Sequence, residues 1–89
     1  MNRIRPGMII QHFKGEDLDR SKGNTCYLYK VIGSALHTET QEELIVYEAL
    51  YSPFAMFARP ISMMNSLVDK NRYPYVKQKY RFEEYKGEM

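Results

Sequence analysis

Hydrophobic and polar residues alternate along most of this chain, which is the pattern of half-buried β-strands. The first such run is MIIQHF, residues 8–13, which follows the turn signal Pro6-Gly7. A long β-rich run, CYLYKVIGSALHTET, covers residues 26–40. Gly33 lies inside it, and a glycine within a strand predicts a bulge or a tight bend.

The alternation continues after a predicted turn at residues 41 and 42. ELIVYEALY, residues 43–51, is the expected return strand, and Ser52-Pro53 ends it. FAMFAR, residues 54–59, predicts a short fourth strand, and KYRFEEY near the end predicts a last one. We place Val46 and Phe82 in the core, because each stands at an apolar position of an alternating strand.

One segment changes from a period of two to a helical period. Pro60 can begin a helix, since its missing N–H is no loss in a first turn. In PISMMNSLVDK the side chains of Ile61, Met64 and Val68 recur at the spacing of one helical face. Five strands and one short helix predict an all-β fold, a small SH3-like antiparallel barrel whose helix precedes the last strand. We expect one domain over 1–89, with its core at about 7–85.

Composition and charge narrow the class of protein. The net charge of +2 is too small to predict an acidic partner by itself. The single Cys26 excludes an internal disulfide and a multi-cysteine metal site, and we expect it to be a small buried hydrophobe in a strand. No metal-ligand spacing or cofactor motif is present, so we expect neither. No apolar run could span a bilayer and the start lacks a signal-peptide core, which predicts a cytoplasmic protein.

The segment KGEDLDRSKGNT, residues 14–25, is predicted to be a loop. It contains two glycines, mixed charges and a single apolar residue, Leu18. We expect residues 16–24 to be exposed and dispensable for folding, because loop length affects stability only weakly.

Six short motifs occur in the order found in a known bacterial family. They are QHFKG, YLYKVIG, HTET, IVYEALY, ARP followed by a methionine pair, and KQKYRF. Together they resemble the family called domain of unknown function 1653, from about Gly7 to Phe82. The resemblance implies an SH3-type barrel and implies no particular activity. Relatives commonly have glycine after HTET, where this chain has Gln41.

Several polar and aromatic residues are candidates for a surface binding site. His37 and Glu39 are two apart, so on a strand they would share one face. They could form an acid–base pair or only a polar pair at the end of a hairpin. Arg59 could bind an anion or pair with an acidic residue. The whole candidate set is His12, Lys14, His37, Glu39, Tyr47, Tyr51 and Arg59. We expect His37, Glu39 and Arg59 to form one patch beside Tyr47 or Tyr51.

A second candidate site is the segment KNRYPYVKQKYR, residues 70–81. Basic residues interleaved with aromatic ones suit single-stranded nucleic acid, because cations bind phosphates and rings stack on bases. The residues concerned are Lys70, Arg72, Tyr73, Lys77, Lys79 and Arg81. The plainer interpretation is a solvated basic connector, since Glu83 and Glu84 follow at once.

These patterns favour a small non-enzymatic binding or adaptor domain. Its expected partner is an unidentified protein, a peptide or a nucleotide-type ligand. The alternative is single-stranded nucleic-acid or nucleotide binding through residues 70–81. A remoter alternative is a hydrolase that uses His37 and Glu39.

Overall fold

The computed structural model describes residues 4–87. Its regular structure is five β-strands, a single-turn α-helix and a 3-10 helix, Phe13–Gly15. The strands are β1 (Ile9–His12), β2 (Leu28–Leu36), β3 (Glu43–Ala49), β4 (Met56–Pro60) and β5 (Phe82–Glu84), and the helix is α1 (Ile61–Met64). The β-rich composition and the helix before the last strand are as predicted, although most strands are shorter than the alternating runs.

All five strands form one antiparallel sheet in the order β4-β3-β2-β1-β5. The longest pairing is the β2–β3 hairpin, in which Tyr29 lies opposite Ala49 and Leu36 opposite Glu43. The register shifts between Val31 and Gly33, so the bulge predicted at Gly33 is confirmed. A bulge increases local twist and bends the strand.

The sheet is strongly curved. β3 and β5 are three strand positions apart, which in a flat sheet would be about 14 Å. Yet the rings of Tyr47 in β3 and Phe82 in β5 have centroids 5.7 Å apart. The guanidinium of Arg59 in β4 lies 5.6 Å from the Phe82 ring centroid, so side chains of the two edge strands meet. Because β4 and β5 remain edges in the hydrogen-bonded order, the described strands form an open curved sheet, and barrel closure is not confirmed.

The core lies on the inner face of this curved sheet. Phe82 is 2% exposed, as predicted. On β3 the buried side chains are Ile45, Tyr47 and Ala49, whereas Val46 is half-buried. The prediction that Val46 is a core residue is therefore wrong. Side chains alternate between the two faces of a strand, so burial of Tyr47 necessarily directs Val46 to the other face.

Helix α1 is one turn long, shorter than the predicted helix. Met64 and Val68 are nevertheless buried and Ile61 packs against the core, so these apolar side chains point inward as predicted. Val68 lies beyond the helix, so the predicted single helical face is wrong. The chain leaves the helix after Met64, and Leu67 then forms an antiparallel bridge with Tyr80. Neither α1 nor any other helix within residues 4–87 is long and apolar enough to cross a membrane.

The loop between the 3-10 helix and β2 is tied to the rest of the molecule. The guanidinium of Arg20 donates to the carbonyls of Gly15, Asn24 and Cys26 and to the Gln11 side chain. The Glu16 carboxylate accepts hydrogen bonds from the backbone N–H groups of residues 77 and 78. The prediction that residues 16–24 are all exposed is therefore wrong, because two charged side chains fasten this loop.

Cys26 also differs from its prediction. It is exposed and lies in a turn before β2, not in a strand. Tyr27, which follows it, has a φ of 64°, so the extended conformation of β2 begins only at Leu28. A left-handed residue interrupts a strand, and the alternating sequence pattern gives no sign of it.

Candidate anion-binding cleft

A cleft of about 380 Å³ opens where the ends of β1 and β4 meet the segment between α1 and β5. Its cationic lining residues are Lys14, Arg59, Arg72 and Arg81. Its other lining residues are His12, Phe13, Asp69 and Tyr73. We refer to these eight residues as the basic cleft.

The first wall comes from the end of β1. The Nδ1 atom of His12 accepts a hydrogen bond from the Lys14 N–H at 3.1 Å, which caps the 3-10 helix. A neutral imidazole whose Nδ1 is an acceptor carries its proton on Nε2. The His12 ring stacks on Phe13 with centroids 4.5 Å apart and meets the Phe82 ring edge-on at 5.0 Å. These contacts hold His12 and Lys14 at the cleft.

His12 reports the electrostatics of this site. Burial, together with the positive charges of Lys14, Arg59 and Arg81, lowers the pKa of His12 from 6.5 to about 4. Each cause disfavours the charged imidazolium. At neutral pH His12 is therefore uncharged, and the positive charge of the cleft belongs to its lysine and arginine side chains.

Arg59 is directed into the site by the strand register. It lies opposite Ile45 in the β3–β4 pairing. Residues that face each other across an antiparallel pair point to the same side, and Ile45 is a core residue, so Arg59 also points inward. Its guanidinium then lies over the ring of Phe82.

A hydrogen-bonded turn supplies Arg72 and Tyr73. The Asp69 side chain accepts from the Asn71 N–H at 3.0 Å, and the Asp69 carbonyl accepts from the N–H groups of Arg72 and Tyr73. The ring of Tyr73 meets Phe13 edge-to-face, with centroids 4.9 Å apart. The turn therefore adds a cation and an aromatic ring to the cleft, and Asp69 shapes it.

A buried glutamine fixes Arg81. The side chain of Gln78 donates to the carbonyls of Gln11, Tyr80 and Arg81. The Arg81 carbonyl also accepts from the Phe13 N–H at 2.9 Å. These bonds join the chain before β5 to the end of β1, so that Arg81 comes beside His12 and Lys14.

The cations of the basic cleft are not neutralised by nearby carboxylates. Within residues 4–87, the only ion pair with an N–O distance of 4.0 Å or less is Lys86–Glu84, outside the cleft. Four cations and one carboxylate line the cleft, an excess of three positive charges at neutral pH. Such a site favours an anionic ligand, because a phosphate or carboxylate would supply the missing opposite charges.

The structure does not bring His37 and Glu39 to Arg59. Both lie in the turn beyond Leu36, where β2 ends, so they do not share a strand face. The Nδ1 atom of His37 accepts from the N–H groups of Glu39 and Thr40 at 3.2 and 3.3 Å. The predicted patch of His37, Glu39 and Arg59 is therefore wrong: the imidazole caps its own turn, and neither residue lines the basic cleft.

The two candidate tyrosines of β3 and its continuation pack within the protein. Tyr47 is 4% exposed, and burial raises the pKa of its hydroxyl. Tyr51 is half-buried, and its hydroxyl lies 2.6 Å from that of Tyr29. Burial, followed by this hydrogen bond, raises the pKa of Tyr29. Tyr47 therefore offers no exposed face to a ligand, which agrees with core packing.

The structure brings together residues from both predicted sites and separates others. His12, Lys14 and Arg59 of the first set share the basic cleft with Arg72, Tyr73 and Arg81 of the second. Three lysines of the second set lie elsewhere. Lys70 donates to the carbonyls of residues 76 and 78, the N–H of Lys77 donates to Glu16, and Lys79 lies beside the ring of Tyr80.

Sequence reasoning missed Phe13 and Asp69. Phe13 belongs to the QHFKG motif and has no charge to mark it. Asp69 accepts from the backbone N–H two residues later, and an aspartate favours such side-chain-capped turns, which could have indicated that the chain bends here. No group of three or more His, Cys, Asp or Glu suited to a metal occurs in the part of the chain that the structure describes.

Comparison with known proteins identifies a family. Residues 8–84 match the family described as "Protein of unknown function (DUF1653)". The chain belongs to the DUF1653 family. The match confirms the resemblance drawn from the six motifs, and it includes all eight residues of the basic cleft. No curated protein and no solved structure matches this DUF1653 chain.

Proposed function

We propose that this DUF1653 domain is a non-enzymatic binding module whose basic cleft takes a phosphate-bearing anion. The observation that carries the proposal is that four cations line one cleft and that none of them forms an ion pair with a carboxylate of residues 4–87. A guanidinium that is partly removed from water costs free energy unless an anion or a polar group accompanies it. A bound phosphate would provide that anion and would accept several hydrogen bonds at once.

The lining of the cleft favours a ligand that carries both a phosphate and an aromatic ring over a simple ion. The half-buried Tyr73, which packs against the buried Phe13, adds an aromatic ring beside the cations. Arginine forks match phosphate geometry, and aromatic rings accept a flat group by stacking. Both the nucleotide-type ligand and the single-stranded nucleic acid considered from the sequence combine these groups.

The test is the affinity of the whole chain for a short fluorescein-labelled oligothymidylate, measured by fluorescence anisotropy over a series of salt concentrations. Each single-strand phosphate contact should lower log K by about 0.7 per log unit of salt. Three or four contacts therefore predict a slope of about −2 to −3. Arg59→Gln should weaken binding roughly tenfold or more, the scale of one charged hydrogen bond.

The matched control is Lys30→Gln, which removes the same charge from an exposed position on β2. Lys30 is adjacent to the buried Tyr29, so it points to the opposite face of the sheet from the core. This variant should bind nearly as the parent chain does. An equal loss in the two variants would show that only overall charge matters and would remove the cleft as the site.

We also propose that the curved sheet closes into an SH3-type barrel. What supports this is the contact of Arg59 in β4 with the ring of Phe82 in β5, because the two edge strands of the sheet approach each other there. An experimental structure of the domain would test it. Pairing of the β4 and β5 edges, directly or through the intervening segment, is the expected result.

A further inference from the structure

We propose that Phe57 on β4 is a base-stacking subsite beside the basic cleft, and that the ligand is single-stranded nucleic acid. This inference rests on the proposed function, because the cleft is taken to hold the phosphates. It adds a residue outside the cleft and commits to one ligand class.

The strand register places Phe57 next to Arg59 on one face. Phe57 lies opposite Tyr47 and Arg59 lies opposite Ile45 in the β3–β4 pairing. Both partners are core residues, so Phe57 and Arg59 point to the inner side of the sheet. Two positions along a strand are about 7 Å, a distance that one nucleotide can bridge with its phosphate at Arg59 and its base at Phe57.

The ring of Phe57 packs on the core and is also partly exposed. It lies on Tyr47 with centroids 5.5 Å apart and an interplanar angle of 30°, so one face covers the core. It also meets the ring of Tyr29 edge-on, with centroids 6.3 Å apart. The residue is nevertheless 42% exposed, so part of it is accessible to a ligand. A partly exposed aromatic ring that packs on the core can serve as a platform on which a base stacks without sequence preference.

Charge complementarity selects nucleic acid from the possible ligands of such a surface. An exposed phenylalanine alone would suit any apolar partner. Here it stands beside a guanidinium, and the cleft beyond that guanidinium contributes three further cations. Alternating flat bases and phosphates match this sequence of ring and charges, whereas an acidic peptide would match the charges alone.

The experiment compares two labelled strands of equal length, an oligothymidylate and an abasic deoxyribose-phosphate strand, with four versions of the whole chain. The versions are the parent, Phe57→Leu, Arg59→Gln and Met56→Ala. Leucine at 57 keeps an apolar cover on Tyr47 and removes the aromatic face. Met56 is the matched control, because it is the preceding residue of β4, is 59% exposed and points to the opposite face. Thermal melting confirms that each variant is folded.

We expect Phe57→Leu to weaken thymidylate binding roughly five- to a hundredfold and to leave abasic binding unchanged. Arg59→Gln should weaken both strands, and Met56→Ala neither. Equal thymidylate affinity in Phe57→Leu and the parent would overturn the stacking subsite while leaving the phosphate cleft in place. Competition by polyglutamate as effective as that by thymidylate would overturn the nucleic-acid assignment. Failure of both strands to bind would overturn the proposed function itself.

Discussion

His12 shows at the scale of one residue how the fold and the cleft depend on each other. Its Nδ1 caps the 3-10 helix, and its ring contacts Phe13 and Phe82. The same ring lines the basic cleft, where its burial and the nearby cations both lower the pKa of His12. The folded structure therefore contains a neutral imidazole, and folding disfavours the protonation of His12.

This arrangement predicts a loss of stability on the acid side. The pKa of His12 is about 4 in the folded chain and 6.5 as its ordinary value, so between these pH values the unfolded chain binds a proton that the folded chain does not. The free energy of unfolding should then decrease as pH falls from 6.5 to 4. His12→Asn should lessen this decrease, because the asparagine oxygen can accept from the Lys14 N–H but does not titrate.

Urea denaturation of the parent and His12→Asn at several pH values provides the measurement. Carboxylates that titrate in the same range affect both chains alike, so the difference between the two curves isolates His12. The variant should be less stable or equal near neutrality and should gain on the parent as pH falls. Parallel curves would contradict the assignment of a depressed pKa to His12.

At the scale of the elements, the loop before β2 is held in place by several side-chain hydrogen bonds. Arg20 reaches across it to three carbonyls and to Gln11 of β1. Gly15 lies beneath this side chain, and its close neighbours explain why no larger residue fits there. The loop is therefore built around one guanidinium, and it also supports the segment that carries Arg81 through Glu16.

A pair of glycine substitutions tests this loop. A Cβ added at Gly15 would lie 2.7 Å from Tyr27 Cβ and 2.9 Å from Arg20 Nη2. Gly15→Ala should therefore lower the free energy of unfolding by about 1–3 kcal/mol, as overpacking does. Gly33→Ala is the control, because its Cβ would meet no atom within 4 Å and the change should be below about 1 kcal/mol. Chemical denaturation of both variants gives the comparison, and equal losses would contradict a packed loop.

The alternation of hydrophobic and polar residues was sufficient to predict most strands. It was insufficient to predict which face of a strand is buried. The bulge at Gly33, the helix before the last strand and the burial of Phe82 and Met64 followed from local pattern. The choice between Val46 and Tyr47 did not, because both faces of β3 are largely apolar and only the pairing with β2 and β4 decides. Arg20 was missed for a related reason: a loop of polar residues looks solvated until the carbonyls that it binds are known.

The binding residues could be found in the sequence, but their grouping could not. His12, Arg59 and Arg81 are far apart along the chain, and they meet because the sheet curls. Residue spacing instead predicted that His37 and Glu39 share a strand face. That prediction is wrong because β2 ends before them and both lie in a turn. Curvature depends on twist, bulges and core packing together, and no short motif records it.

At the scale of the whole molecule, Phe82 holds the curved sheet together. Its ring contacts a side chain from each of the four other strands: His12 of β1, Tyr29 of β2, Tyr47 of β3 and Arg59 of β4. Two of these partners line the basic cleft, so a single buried ring supports both the fold and the proposed site. The short β5 is thereby more important than its three residues indicate.

Phe82→Ala should lower the free energy of unfolding by roughly 3–5 kcal/mol, because a large buried ring is replaced by a cavity that four strands cannot close. A domain of this size has only about 5–15 kcal/mol in total, and usually toward the lower end, so the variant should be unfolded or nearly so at physiological temperature. Phe82→Leu keeps much of the volume and should remain folded, while His12 and Arg59 lose the aromatic ring that they contact. Its melting temperature should therefore change only modestly, whereas its affinity for oligothymidylate should be clearly lower than that of the parent chain. A melting temperature in Phe82→Ala equal to that of the parent would show that β5 is an attached edge and that the curvature arises from β1 to β4 alone.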